Sequence, residues 1–189
     1  MLALKEWHVV SEAIARGDQV LTIRKGGIRE KEFAVEGAQF WLFPTWEHEN
    51  ADELKRAWHG ELSRSQRERH ADGSIPVRAR CTVVEAWELT DVDAVAALDR
   101  FHPWTEAYAV QRLRWRPTKP LVALLVRAEA LVEPFVLPPS DAYGGCKSWV
   151  ELESEPPATE LLPSLTDEAF EIFASAVRDA LAGAGTPGR

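Results

Sequence analysis

Four short clusters in this sequence combine residue types that can do chemistry. The first is Arg24-Lys25-Gly26-Gly27-Ile28-Arg29-Glu30-Lys31. Arg24, Lys25, Arg29 and Lys31 surround a glycine pair directly after a predicted strand. Glycine amides that point outward, with guanidinium and ammonium groups beside them, can cradle a phosphate or another anion. The spacing matches neither the Walker A loop nor the dinucleotide fingerprint, so it does not predict a nucleoside-triphosphate site. The ordinary alternative is a hairpin turn whose charges are solvated. In the second cluster, Phe40-Trp41-Leu42-Phe43-Pro44-Thr45-Trp46 runs into Glu47-His48-Glu49 at a strand end. An acid–histidine group of this kind could bind a divalent metal or exchange protons. Alternation along an extended chain puts Glu47 and Glu49 on one side and His48 on the other, and the His-Glu-x-x-His zinc signature is absent.

The third cluster is Arg112-Leu113-Arg114-Trp115-Arg116-Pro117-Thr118-Lys119. If the segment is extended, Arg112, Arg114 and Arg116 line one face as a strip suited to a phosphate backbone, with Leu113 and Trp115 towards the core. If it continues a helix from Thr105, the arginines fan out and the strip dissolves. The fourth, Tyr143-Gly144-Gly145-Cys146-Lys147-Ser148-Trp149, places a cysteine between a glycine pair and a lysine able to depress its pKa. A cysteine nucleophile also needs a base, and none can be paired with Cys146 from the sequence. A turn that permits close backbone approach is the simpler account. Glu53-Leu54-Lys55 has the Glu-x-Lys letters of a nuclease motif but falls in a predicted helix.

These clusters must be positioned by the elements between them. Leu4, Trp7, Val10 and Ile14 recur at helical spacing, which predicts a helix over about 4–16 with Gly17 as its stop. Strands are predicted at 19–24, at 39–43 ending before Pro44, at 77–89, at 121–126 and at 149–152. Residues 52–58 read as a helix, 91–101 as a short helix capped by Asp91 or Asp93, and 130–139, with three prolines, as an extended crossing. A final helix carries the stripe Leu165, Phe170, Phe173, Ala174, Val177 and Leu181, with Thr166 at its start. This order lacks the regular alternation of a doubly wound fold. It predicts an α+β domain over 1–155, with a mixed sheet able to curl into a barrel and flanking helices, followed by an acidic helical extension over 156–189.

The 189 residues carry a formal charge of −8, of which −6 lies in residues 148–189. The remaining body is close to neutral, so its clustered cations remain compatible with nucleic acid. Two cysteines exclude a disulfide framework. No apolar run of about 18 residues predicts a membrane span, and the N-terminus lacks the order of a secretory signal, which makes a cytoplasmic setting the expectation.

Taken together, Ala3-Leu4-Lys5-Glu6-Trp7, Arg24 to Ile28, Phe40 to His48 and Tyr143 to Trp149 resemble the bacterial family catalogued as domain of unknown function 1802, over roughly residues 3–152. The resemblance implies little chemistry beyond an association with restriction–modification systems, and hence with DNA. The chain is also similar to PUA-like domains of the ASCH type, in which a helix leads into Gly-x-Lys-x-x-Glu-x-Arg. Gly17 and Arg24 stand at the matching offsets, whereas Gln19 and Thr22 replace the lysine and glutamate. That similarity implies a small mixed barrel that binds RNA or flipped, modified bases, with Arg24 in the groove and no catalytic acid or base carried over.

The expected function is therefore a nucleic-acid-binding module for DNA or RNA. Arg24, Lys25, Arg29, Lys31, Arg112, Arg114, Arg116 and Lys147 would grip phosphates, and Trp46 or Trp149 would stack on a base. A phosphodiester hydrolase is the alternative, in which Glu47, His48 and Glu49 hold a divalent metal, the one cofactor any reading of this sequence calls for. A third reading is a protein–protein adaptor that docks through the acidic last helix.

Overall fold

Leu121, Ala123, Leu124, Leu125 and Val126 are all buried, on both faces of one strand, which is the signature of the centre of a sheet. In the computed structural model, which describes residues 1–25, 38–145, 147–157 and 160–186, that strand is flanked by sheet neighbours on both sides. The strands are β1 (Leu2–Trp7), β2 (Leu21–Lys25), β3 (Gln39–Thr45), β4 (Ile75–Leu89), β5 (Leu121–Leu137), β6 (Trp149–Glu151) and β7 (Leu161–Pro163). The α-helices are α1 (His8–Ala15), α2 (His59–Arg67), α3 (Val92–Ala97), α4 (Glu106–Arg114) and α5 (Asp167–Gly183). The strands form one mixed sheet in the order β2-β5-β4-β3-β1-β6, with β7 added alongside β5. β4 and β5 pair antiparallel from Ile75↔Leu137 to Leu89↔Leu121, and two register shifts bend the pair. β1 runs parallel to β3 and antiparallel to β6. The hydrogen-bonded path ends at β2 and at β6, so the sheet is open. It curls far enough, however, for side chains of β2 to reach β1.

The long strand expected at 77–89, the capped helix after Asp91 and the last helix are all present. Asp91 accepts the Ala94 N–H and Thr166 accepts the Ala169 N–H, as N-caps do. Phe170, Ala174, Val177 and Leu181 of α5 share a core cluster with Leu21, Trp87, Leu89, Val95 and Leu125. The expected helix at 4–16 is corrected, because residues 2–7 form β1 and only His8–Ala15 are helical. A short apolar run reads alike as strand or as buried helix, and here two sheet neighbours decide it. β3 passes through Pro44 because β4 has already left at Trp41, so the missing N–H breaks no ladder on that side. Residues 52–58 form two 3-10 turns, at Ala51–Glu53 and Arg56–Trp58, in place of one helix. The stretch 130–137 is extended, as the end of β5. Among the described residues no helix is long and apolar enough to cross a membrane.

Gly17 ends α1 at φ +77°, donating its N–H to the Ile14 carbonyl at 3.1 Å. A Cβ at this position would lie 2.6 Å from the Ser164 carbonyl oxygen and 2.7 Å from Leu165 Cγ. Gly17→Ala therefore combines left-handed strain with overpacking and is expected to cost about 2–4 kcal/mol of stability. Urea unfolding of the variant measures this. An unchanged midpoint would mean that the segment leading into α5 gives way freely.

Candidate functional site

A cleft of about 1370 Å³ opens where the curled sheet fails to close, between β1 and β2, roofed by α4 and flanked by the turns after β3 and before β6. Each sequence cluster sends side chains into it. Arg24 and Lys25 come from β2, Glu47 and His48 from the turn after β3, Arg112 and Arg116 from the end of α4, and Lys147 and Trp149 from the start of β6. Among the described residues seven Lys and Arg line the cleft against four Glu, in a protein whose formal charge is −8. Trp7, Trp104, Tyr108, Trp115 and Trp149 supply aromatic surface beside these cations.

The seam between β1 and β2 is bridged by Glu6. This carboxylate, 3% exposed, accepts the Trp7 N–H at 2.9 Å and the Thr22 hydroxyl at 2.6 Å, and pairs with the Arg24 guanidinium at 3.3 Å. A buried charge persists only when paired and hydrogen-bonded in this way, and the pairing fixes Arg24 at the cleft wall. Lys5 donates to the Gly145 carbonyl at 3.0 Å and Lys25 to the Leu113 carbonyl at 2.8 Å. Burial, and then the nearby Arg112, hold the Lys25 ammonium below its usual range. Trp7 stacks on Tyr108 with centroids 5.9 Å apart and meets Trp104 edge-on at 6.5 Å. Burial raises the Tyr108 hydroxyl.

Residues 106–114 are helical, so the extended arginine strip is corrected. Thr105 caps α4 by accepting the Tyr108 N–H, and the helical twist then separates the arginines. Arg112 faces the cleft and Arg114 is exposed outside it. Arg116 returns to the cleft because its backbone adopts φ +46° just past the helix end. Trp115 is 44% exposed rather than in the core, with the Arg112 and Arg116 guanidiniums 4.8 and 4.4 Å from its ring centroid. Arg29 and Lys31, with Gly26, Gly27 and Glu30, lie outside the described residues, as does Cys146.

A family model, Domain of unknown function (DUF1802), matches residues 3–176, which is most of the chain and reaches into α5. The chain belongs to the DUF1802 family. No curated protein matches it. Among solved structures it is similar to a mutant form of the ZmASCH protein from Zymomonas mobilis, at 13% identity and a TM-score of 0.43, over 92% of this chain and 96% of that one.

In this DUF1802 domain the residues of the second cluster separate in the reverse of the expected sense. The chain leaves β3 in a turn, with the Glu47 N–H donated to the Thr45 hydroxyl and His48 at φ +68°. Glu47 and His48 consequently share the cleft, and Glu49 points away. Its carboxylate accepts the Val9 N–H, the Ser65 hydroxyl and the Gln66 amide, and burial raises its pKa. Among the described residues no group of three or more His, Cys, Asp and Glu is placed to hold a metal ion. Trp46 lies outside the cleft, stacked on His8 at 4.6 Å with its indole N–H on the Ser65 carbonyl. A Ser65–His8–Glu68 series exists there, with Ser65 2.9 Å from His8 and Glu68 3.8 Å beyond. Ser65 and His8 are each 2% exposed, which closes that series to substrate.

Sequence reasoning missed Glu6, Lys5 and Tyr108. Reading residues 4–16 as one helix hid the adjacent charged pair Lys5-Glu6 inside an otherwise apolar strand, the one signal that could have exposed it. Tyr108 becomes visible only when α4 is laid across the sheet.

Proposed function

We propose that the DUF1802 cleft binds a single strand of nucleic acid, with phosphates on its cations and bases against its tryptophans. The observation that carries this reading is the meeting of seven Lys and Arg with five Trp and Tyr in one open cleft of an acidic protein. Phosphate contacts supply affinity, and aromatic faces accept any base by stacking. The volume, about 1370 Å³, exceeds the roughly 300–1,000 Å³ of a site for one small molecule and suits several nucleotides. Arg24, buttressed by Glu6, and the exposed Lys147 grip the backbone. Trp115 and Trp149 are the stacking surfaces, and the open rim admits DNA or RNA, including the strands that a restriction–modification context would present. Hydrolysis at Glu47, His48 and Glu49 has no comparable support, because the three do not converge.

Fluorescence anisotropy with labelled single- and double-stranded oligonucleotides tests this. Affinity for the single strand should exceed that for the duplex and should fall about 50-fold between about 50 and about 200 mM salt, as four single-strand phosphate contacts require. No binding at the lower salt would remove the proposal.

A further inference from the structure

Glu53 is an anomaly in a cleft built for a polyanion. It closes the turn Ala51–Glu53, where Asn50 accepts the Asp52 N–H, and its backbone is pinned on both sides. Its N–H donates to the Asn50 carbonyl at 3.2 Å, and its own carbonyl accepts the Thr105 N–H at 2.9 Å. Leu54, the next residue, pairs with Trp104 as a β-bridge. A rigid backbone thus presents the half-buried Glu53 carboxylate to the cleft beside Tyr108 and Arg112. None of the described residues donates a hydrogen bond to that carboxylate. Its titratable neighbours are Arg112, His48 and Asp52, and burial raises its pKa, so it is short of the donors that water would supply.

A carboxylate repels phosphate, and a desolvated one gains most from two N–H donors side by side. The edges of unpaired bases differ in this respect. Guanine presents N1–H and N2–H together on its pairing edge. Adenine and cytosine each offer one amino group beside a ring acceptor. Uracil and thymine offer a single N3–H between two carbonyls, which a carboxylate repels. Unpaired bases are commonly read on that edge while stacked on an aromatic side chain.

We infer that Glu53 is a specificity-determining residue that reads the N1–H and N2–H of one unpaired guanine held at the aromatic end of the cleft. The inference rests on the nucleic-acid reading and gives it a base preference. Phosphates flanking that guanine fall to Arg112 and Arg116, and the base lies near Tyr108, with the carboxylate at its edge.

The test compares short single strands that are identical except for one central base (guanine, inosine or thymine), bound to wild type and to Glu53→Gln. Inosine keeps N1–H and lacks the 2-amino group, so shape and stacking are nearly constant. Wild type should bind the guanine strand at least about tenfold more tightly than the inosine or thymine strand, the discrimination expected of a bidentate contact. In Glu53→Gln the guanine-to-inosine ratio should collapse towards one, with thermal melting as the control for folding. A wild-type ratio below about threefold overturns the assignment and needs no variant to do so. A guanine preference that survives in Glu53→Gln also overturns it, because another group then reads the base. Salt-sensitive binding without base preference leaves the parent reading standing and removes this one, whereas no binding of any strand removes both.

Discussion

Replacing Arg112 and Arg116 together with alanine is expected to weaken single-strand binding by roughly 10²-fold and to lower the salt slope by about 1.4, with Arg114→Ala changing either by less than about twofold. The three arginines are two residues apart in sequence, so a flexible or extended segment would weight them alike. The structure does not. α4 ends at Arg114, Trp115 adopts extended backbone (φ −71°, ψ 130°), and the left-handed turn at Arg116 brings its guanidinium back over Trp115. Arg112, one helical turn earlier, covers the same ring. Arg114 projects outside the cleft. Each lost phosphate contact on a single strand removes about 0.7 from the slope, which gives the figure for two. Trp115 and the cations Arg24 and Lys147 remain in the double variant, so the residual binding should keep about half of the wild-type salt slope. Oligonucleotide titrations at several salt concentrations measure slope and affinity together. Equal losses from Arg112→Ala and Arg114→Ala would show that the arginines act through diffuse charge, not through this geometry.

What the sequence disclosed follows the range of the interactions involved. The α5 stripe, the Asp91 and Thr166 caps, the Gly17 stop and the apolar run at 121–126 are governed by neighbours within a turn or a strand, and each is present. The four clusters were recognisable because each carries charged residues at or beside a strand or helix end. Their shared cleft was not recognisable, since it depends on how far the sheet curls. The contacts that define it join Glu6 to Arg24, Lys5 to Gly145 and Lys25 to Leu113. The treatment of Glu47, His48 and Glu49 shows the same limit at shorter range. Strand alternation carried through Glu49 predicts one pairing, and the turn that follows Thr45 produces the other. Glu6 illustrates the strongest form of the problem. A charged residue in an apolar run argues against a buried strand until its partners, Thr22 and Arg24, are known.

The second large effect is a loss of stability in mild acid, carried by two histidines that fold neutral. Burial lowers His8 from 6.5 to about 4, and burial together with Lys55 lowers His102 from 6.5 to about 4. Above pH 6.5 both are neutral in the folded and unfolded chains and contribute no pH dependence. As pH falls from 6.5 towards 4 the unfolded chain takes up protons that the folded one refuses, so stability declines. With 1.36 kcal/mol per pKa unit, each histidine costs about 2 kcal/mol between about pH 7 and about pH 5. Glu12 and Glu49 act in the opposite sense. Burial raises both, so their penalty at neutral pH is relieved as they protonate, and they recover part of the loss. His102→Phe separates the two effects. Its ring is 3% exposed against Trp104, and among the described residues neither ring nitrogen has a hydrogen-bond partner, so a phenyl ring replaces apolar contact and leaves none of their donors stranded. The carboxylates are common to both proteins and cancel in the difference. The variant should therefore gain on wild type by about 2 kcal/mol between about pH 7 and about pH 5, read from urea unfolding at each pH. A difference independent of pH would mean that His102 accepts its proton in the folded protein, with the Lys55–Asp99 pair at 3.1 Å rearranging to accommodate the charge.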